Sequence, residues 1–302
     1  MKDIIIIGGG PAGLVAALYA GRAELDALMI EKQFEGGQIV TTNEIENYPG
    51  FMDITGSDLA SIMYEHAKKF GGTMEYKEVM DIQIDGDIKK VITSTETYET
   101  KVVILSMGAK PRKLEIDRED ELIGRGISYC AICDGGFYRN KVVAVVGGGD
   151  TAVEDALHLS RIAEKVYLIV RGNELTANKA AQKRLFETKN VEIIWDTIVK
   201  KLNGNQFLDG IQIENTKNNK VMDLQINGLF VAVGSKPSTE LVKGLVDLDK
   251  QGYIIADESC RTSVDGVFAI GDIRTKAVRQ VLTASADGAV SIYEAEKYLI
   301  NH

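Results

Sequence analysis

Only three cysteines, three histidines and one tryptophan occur among the 302 residues. Cysteine this sparse builds no disulfide framework. A closed zinc site needs four ligands. Cys260 is far from the Cys130/Cys133 pair, and His66, His158 and His302 make no second paired motif, so a metal is disfavoured and none is expected. Long apolar runs are missing too: Ile4–Ile7 is short against the ~20 residues a membrane span needs. No Lys/Arg cluster forms a stripe and the net charge is −9, which argues against nucleic acid as a partner. Met1, Lys2 and Asp3 alone stand before Ile4, so no signal peptide is read. A cytoplasmic enzyme is expected, meeting neither membrane nor nucleic acid.

Glycine is abundant, with 30 residues, many in tight clusters. At roughly 100–200 residues per domain, the chain length suggests two domains. Ile4–Ile7 reads as a buried parallel strand running into Gly8-Gly9-Gly10-Pro11-Ala12-Gly13. A helix from about Gly10 to Arg22 follows, with Leu14, Ala17 and Leu18 on one face, then a strand Ala27–Ile30 ending at Glu31. Strand, GxGxxG turn, helix, strand and acidic residue form a dinucleotide-binding unit. In that reading Gly8 makes the turn, Gly10 lets a pyrophosphate approach, and Gly13 permits close helix packing. The anion sits at the helix N-terminus, and Glu31 accepts from a ribose.

A long polar loop, 38–51, carries amides such as Gln38 and Asn47 that can face a cofactor ring or simply water. A helix from about Ser57 to Phe70 is expected to bury Leu59, Ile62, Met63 and Ala67. Strands follow at Val79–Ile84, Ile88–Ser94 and Tyr98–Leu105, with Asp85-Gly86-Asp87 as a hairpin turn. Ser106–Arg112 reads as a linker. The opening pattern then returns: strand Val142–Val146, turn Gly147-Gly148-Gly149-Asp150-Thr151-Ala152, helix Ala152–Ala163, strand Val166–Val170. A flavin dinucleotide on one unit and a nicotinamide dinucleotide on the other is the simplest account. Ile226–Val233 closes the inserted unit, and Gly234–Ser238 is a second linker. A strand at Gly266–Ile270 leads to Gly271-Asp272 and a last helix from about Val278 to Leu299.

Just before the second unit lies Cys130-Ala131-Ile132-Cys133-Asp134-Gly135. Two thiols at i and i+3 share one face of a helical first turn, near enough for a disulfide or a shared metal. Asp134 is placed to trade protons with them. Cys260 is read as a free thiol without a redox partner.

In this order the pieces resemble the low-molecular-weight thioredoxin reductases of bacteria over essentially the whole chain. The resemblance implies an α/β fold of two Rossmann-like three-layer domains, the second inserted into the first. Residues 1–112 and 240–302 would bind FAD, and 113–239 would carry the pyridine nucleotide and the CxxC. It also implies FAD contacts from Gly8, Gly10, Pro11, Ala12, Gly13, Glu31, Lys32, Gly37, Gln38, Asn47, Gly108, Gly271, Asp272, Arg279, Gln280 and Val281. Pyridine-nucleotide contacts would come from Gly147, Gly149, Asp150, Thr151, Ala152 and Arg171.

Electrons are implied to run from donor to FAD, to a Cys130–Cys133 disulfide, and out to thioredoxin or a thioredoxin-like protein. Cys133 would lie nearer the flavin, Cys130 would attack the partner, and Asp134 would serve as acid or base. The inserted domain would turn about Lys110–Lys113 and Gly234–Ser238, and the family is commonly homodimeric. One departure matters. Where the family has a His-Arg-Arg run and a further Arg gripping the NADPH 2′-phosphate, this chain has Val170-Arg171-Gly172-Asn173-Glu174-Leu175-Thr176-Ala177. A lone Arg forfeits multi-point contact with a phosphate, and Glu174 repels it. NADPH, NADH and reduced ferredoxin all stand as donors. A dithiol oxidase passing electrons through FAD to oxygen is the alternative direction.

Overall fold

Ile4, Ile5, Ile6 and Ile7 are all fully or almost fully buried, as a strand covered on both faces requires. A computed structural model describes residues 1–42 and 45–302; Asn43 and Glu44, read above as part of the polar loop, lie outside the described residues. The chain forms two compact units, Met1–Lys110 with Lys236–His302, and Pro111–Ser235 between them.

In the first unit the sheet comprises β1 (Lys2–Ile7), β2 (Ala27–Glu31), β3 (Thr73–Tyr76), β4 (Val79–Asp85), β5 (Ile88–Thr93), β6 (Thr97–Leu105) and β17 (Val267–Ala269). The order is β3-β2-β1-β6-β5-β4, with β17 also on β6. Pairs among β1, β2, β3, β6 and β17 are parallel. The predicted hairpin is real: β4 and β5 pair antiparallel through Asp85↔Ile88.

Ile4 and Ile6 face α1 (Pro11–Arg22), α2 (Gly56–Lys69) and α6 (Val281–Asn301). Ile5 and Ile7 face the other way, onto a cluster with Ile82, Val91 and Val242. Each such side chain stabilises the fold by on the order of 2 kcal/mol. Thr55 caps α2, its Oγ1 accepting from Asp58 N at 3.1 Å. Leu59, Met63 and Ala67 lie on one i, i+4, i+8 stripe and are buried, whereas Ile62 is 47% exposed. The expectation for Ile62 fails because the burying stripe on this helix is narrow.

The second unit has a parallel sheet, β11 (Val191–Ile194)-β10 (Lys165–Ile169)-β9 (Val142–Val146)-β15 (Gly228–Val231)-β8 (Ile127–Ser128). Val143 and Val145 face α4 (Asp150–Ser160) and α5 (Lys179–Glu187). Ala144 and Val146 face a layer built on the antiparallel β12 (Thr197–Asn203), β13 (Gly210–Asn215) and β14 (Val221–Gln225). Both units are thus three layers, around a mixed sheet with a parallel centre in the first and an all-parallel sheet in the second. The two chain crossings, β7 (Ala109–Pro111) and β16 (Ser235–Pro237), pair as a short ribbon.

Candidate functional site

The first glycine turn is as close-fitted as its sequence implied. Gly8 has φ +106°, and a Cβ there would stand 2.6 Å from Ser106 O. A Cβ on Gly13 would run into Gly8 O, so only glycine lets the helix meet the turn. Gly10 is different: a Cβ there meets no described atom within 4 Å, beside the start of α1. Glu31 closes the unit by accepting from Gly9 N at 2.7 Å and Gln33 N at 2.9 Å. Both its oxygens already hold the backbone, which the ribose reading did not foresee.

Other sequence-predicted residues are tied to this turn or to one another. Gly36 N donates to Gly9 O at 2.8 Å, and a Cβ on Gly37 would lie 3.3 Å from Gly10 Cα. Gln38 Nε2 donates to Ala109 O, beside Gly108. A Cβ on Gly271 would lie 3.0 Å from the Ala12 Cβ. Arg279 lies over the Tyr253 ring at 4.0 Å and donates to Asp272 O. Gln280, immediately before Val281, accepts from Asn47 Nδ2 at 3.1 Å. Lys32 is not brought in: it sits at the surface in an ion pair with Glu78.

Beneath this segment is a support the sequence did not reveal. Asp287 on α6 accepts from Gly271 N, Arg274 and Lys276. Burial opposes its charge, yet these two cations hold its carboxyl below the ordinary value. Asp272 Oδ1 is buried with no hydrogen-bond partner among the described residues, and burial raises its carboxyl. An orphaned acceptor, and a Gly10 whose Cβ position no described atom crowds, fit a dinucleotide whose pyrophosphate lies at α1 and whose hydroxyls reach Asp272.

In the second unit Cys130 and Cys133 are joined as a disulfide. Cys130 caps the short helix α3 (Ala131–Asp134), its Sγ accepting from Cys133 N at 3.2 Å. Asp134 follows directly, its Oδ2 accepting from Ser128 Oγ at 2.6 Å. Burial raises the Asp134 carboxyl, and the Ser128 bond pulls the other way. Ser128 was invisible to motif reading because it precedes the CxxC with no pattern of its own. Cys260 is a buried free thiol, pushed up to about 12 chiefly by burial.

The second glycine turn differs from the first at the equivalent points. Val170, in the place of Glu31, is buried and offers no acceptor. Gly149 precedes α4, and a Cβ there would lie 3.7 Å from Thr176 Oγ1. Asp150 accepts twice from Asn178, through its N and Nδ2 at 2.8 Å, which holds its carboxyl below the ordinary value. Thr151 is exposed at the start of α4 and Ala152 is buried behind it. Arg171 is exposed. Gly172 and Thr176, nearby in the chain, are exposed and carry no charge.

The family model for pyridine nucleotide-disulphide oxidoreductases matches residues 2–288. A thioredoxin reductase of Listeria monocytogenes is 42% identical over 298 residues, 98% of this chain and 93% of the relative. The crystal structure of thioredoxin reductase from Streptococcus pyogenes aligns at TM-score 0.94 with 45% identity, covering 100% of this chain and 99% of that one. Thioredoxin reductase from Giardia duodenalis aligns at TM-score 0.94 with 35% identity, covering 99% of each chain.

Proposed function

Because the chain belongs to the pyridine nucleotide-disulphide oxidoreductase family, among its low-molecular-weight thioredoxin reductases, we propose that it reduces the disulfide of thioredoxin or a similar protein. The observation that carries this reading is the Cys130–Cys133 disulfide with the Asp134 carboxyl one residue away.

FAD is assigned to the unit Met1–Lys110 with Lys236–His302, and the pyridine nucleotide to Pro111–Ser235. When bound, FAD supplies the two-electron carrier between donor and disulfide. Gly8, Gly10 and Gly13 shape the cradle for its pyrophosphate, with Pro11 and Ala12 opening α1. Glu31, Gly37, Gln38, Gly108, Gly271, Asp272, Arg279, Gln280 and Val281 line the rest. The disulfide and the nucleotide site, both on the inserted unit, take turns at one flavin by rotation about the two crossings.

In the reduced enzyme Cys130 thiolate attacks the partner disulfide, forming one S–S bond and breaking another. Cys133 then attacks Cys130 Sγ, restoring the intramolecular disulfide and releasing the partner. Two electrons pass from the enzyme dithiol to the partner, whose two sulfurs gain two protons. Asp134, whose carboxyl burial raises above its ordinary value, gives a proton to a departing thiolate. Asp134→Asn should slow this exchange and leave the flavin spectrum intact; unchanged exchange would remove the acid role.

The donor is the finer question. With Arg171 as what remains of the basic set, we favour NADH or reduced ferredoxin over NADPH. Anaerobic bleaching of the bound flavin by each of the three tests this. Fast bleaching by NADPH alone overturns the donor assignment. The same thin set leaves the dithiol oxidase as second reading, which oxygen uptake driven by a small dithiol without nucleotide would support. We further propose that the protein acts in the cytoplasm as a homodimer, a reading supported by its similarity to thioredoxin reductases.

A further inference from the structure

Ser128 ends β8, is 4% exposed, and lies two residues before Cys130. Its Oγ lies 2.6 Å from Asp134 Oδ2, 3.0 Å from Cys130 N and 3.2 Å from Cys130 O. A hydroxyl has one hydrogen to give and two lone pairs with which to accept. The Cys130 amide can only donate, so it takes a lone pair. Cys130 O is already served by Asp134 N at 3.1 Å. The hydroxyl hydrogen therefore goes to Asp134 Oδ2, along the shorter path and toward the charged acceptor.

We infer that Ser128 is a positioning residue for disulfide exchange: it occupies Asp134 Oδ2, reserves Oδ1 for the transferable proton, and ties that carboxyl to the backbone of Cys130. The inference rests on the proposed acid role of Asp134 and deepens it. With Oδ2 already accepting, protonation is favoured at the other oxygen. The proton then leaves from one oxygen, on a carboxyl whose place relative to Cys130 is fixed by a single shared hydroxyl. Departure of the proton to a thiolate leaves a carboxylate that the Ser128 hydrogen stabilises. That donation offsets part of the desolvation raising the Asp134 carboxyl.

Several other titratable groups lie around this turn. The Tyr138 phenol interacts electrostatically with Asp134 and is itself pushed up to about 12, mainly by burial. On α4, which packs against α3, the His158 ring lies 3.5 Å from where a Cβ on Gly135 would stand. Burial lowers this imidazole, with Arg161 adding to the shift. Asp155, on the same helix, is lifted to about 7 by burial. These groups contribute to any pH profile of the wild type. The effect of Ser128 is therefore read as a difference between variants sharing them.

The test compares the holoenzyme with Ser128→Ala, Ser128→Thr, Asp134→Asn and the double variant Ser128→Ala/Asp134→Asn. Each is reduced anaerobically and mixed with oxidised thioredoxin, and the exchange rate is followed against pH. Ser128→Ala should slow exchange by about tenfold and move the Asp134 limb to higher pH, because the carboxylate loses its donor. Ser128→Thr, which keeps the hydroxyl, should restore both. In the Asp134→Asn background Ser128→Ala should add nothing further. A Ser128→Ala profile like that of the wild type, beside an altered Asp134→Asn profile, overturns this inference and leaves the acid role standing. A wild-type profile from Asp134→Asn overturns both. Equal slowing by Ser128→Ala with and without Asp134 reduces Ser128 to a structural role and refutes the positioning.

Discussion

Asn47 Nδ2 donates to Gln280 Oε1 across 3.1 Å, joining residues 233 apart in the chain. Two amides from separate segments of the sequence are thus brought into direct contact. Gln280 also begins α6, its side chain accepting from Thr283 N while Thr283 Oγ1 accepts from Gln280 N.

Gln280→Ala should therefore lower the stability by the loss of a cap, about 1 kcal/mol, and with it the thermal midpoint. Gln280→Ser, which can still cap but cannot reach Asn47, should lose less. Thermal melts of the two variants measure the difference. Equal losses would mean that the cap contributes nothing.

The glycine turn gives a second contrast. A Cβ at Gly10 meets no described atom within 4 Å, whereas one at Gly13 meets Gly8 O. Gly10→Ala should fold with a normal melt of the apoprotein but retain little FAD after purification. Gly13→Ala should be destabilised with or without flavin. Circular dichroism and the flavin-to-protein absorbance ratio separate the two outcomes.

Arginine can be introduced near Arg171, in the segment proposed to hold the nucleotide. A Cβ at Gly172 meets nothing within 4 Å, and Thr176 is exposed. Gly172→Arg combined with Thr176→Arg should speed flavin bleaching by NADPH about tenfold or more and leave the NADH rate unchanged. Parallel stopped-flow traces with the two nucleotides check it. No change with NADPH would contradict the role given to the missing cations.

Burial alone lifts Asp155 from an ordinary 3.8 to about 7. The folded state holds this proton more tightly than the unfolded chain. Its contribution to stability is thus full below 3.8, declines as pH rises, and is lost above about 7. Asp155→Asn, which cannot ionise, should melt higher than the wild type at pH 8 and lose that advantage at pH 4. Melts at the two pH values decide it.

Legibility followed physical constraint. Gly8 and Gly13 were readable because sterics admit no other residue, and the apolar strand Ile4–Ile7 because both its faces are covered. The Cys130–Cys133 pairing was one of two readings left open by spacing, and the structure closes it as a disulfide. Ser128 and Asp287 were not readable: each acts through hydrogen bonds set by tertiary geometry, and neither sits in a pattern. Helix α5 went unread because its exposed face is polar; the Asn178 cap, accepting from Ala181 N, was the available signal. Glu31 was found by spacing, but its bond to Gly9 N needed coordinates.

The central claim is that electrons leave the flavin through Cys130 and Cys133. Its most direct test is anaerobic stopped-flow reoxidation of the photoreduced flavin by oxidised thioredoxin, in the wild type, Cys130→Ser and Cys133→Ser. The account predicts rapid reoxidation in the wild type and none in either variant, with flavin content unchanged. Reoxidation of either variant at the wild-type rate would contradict it.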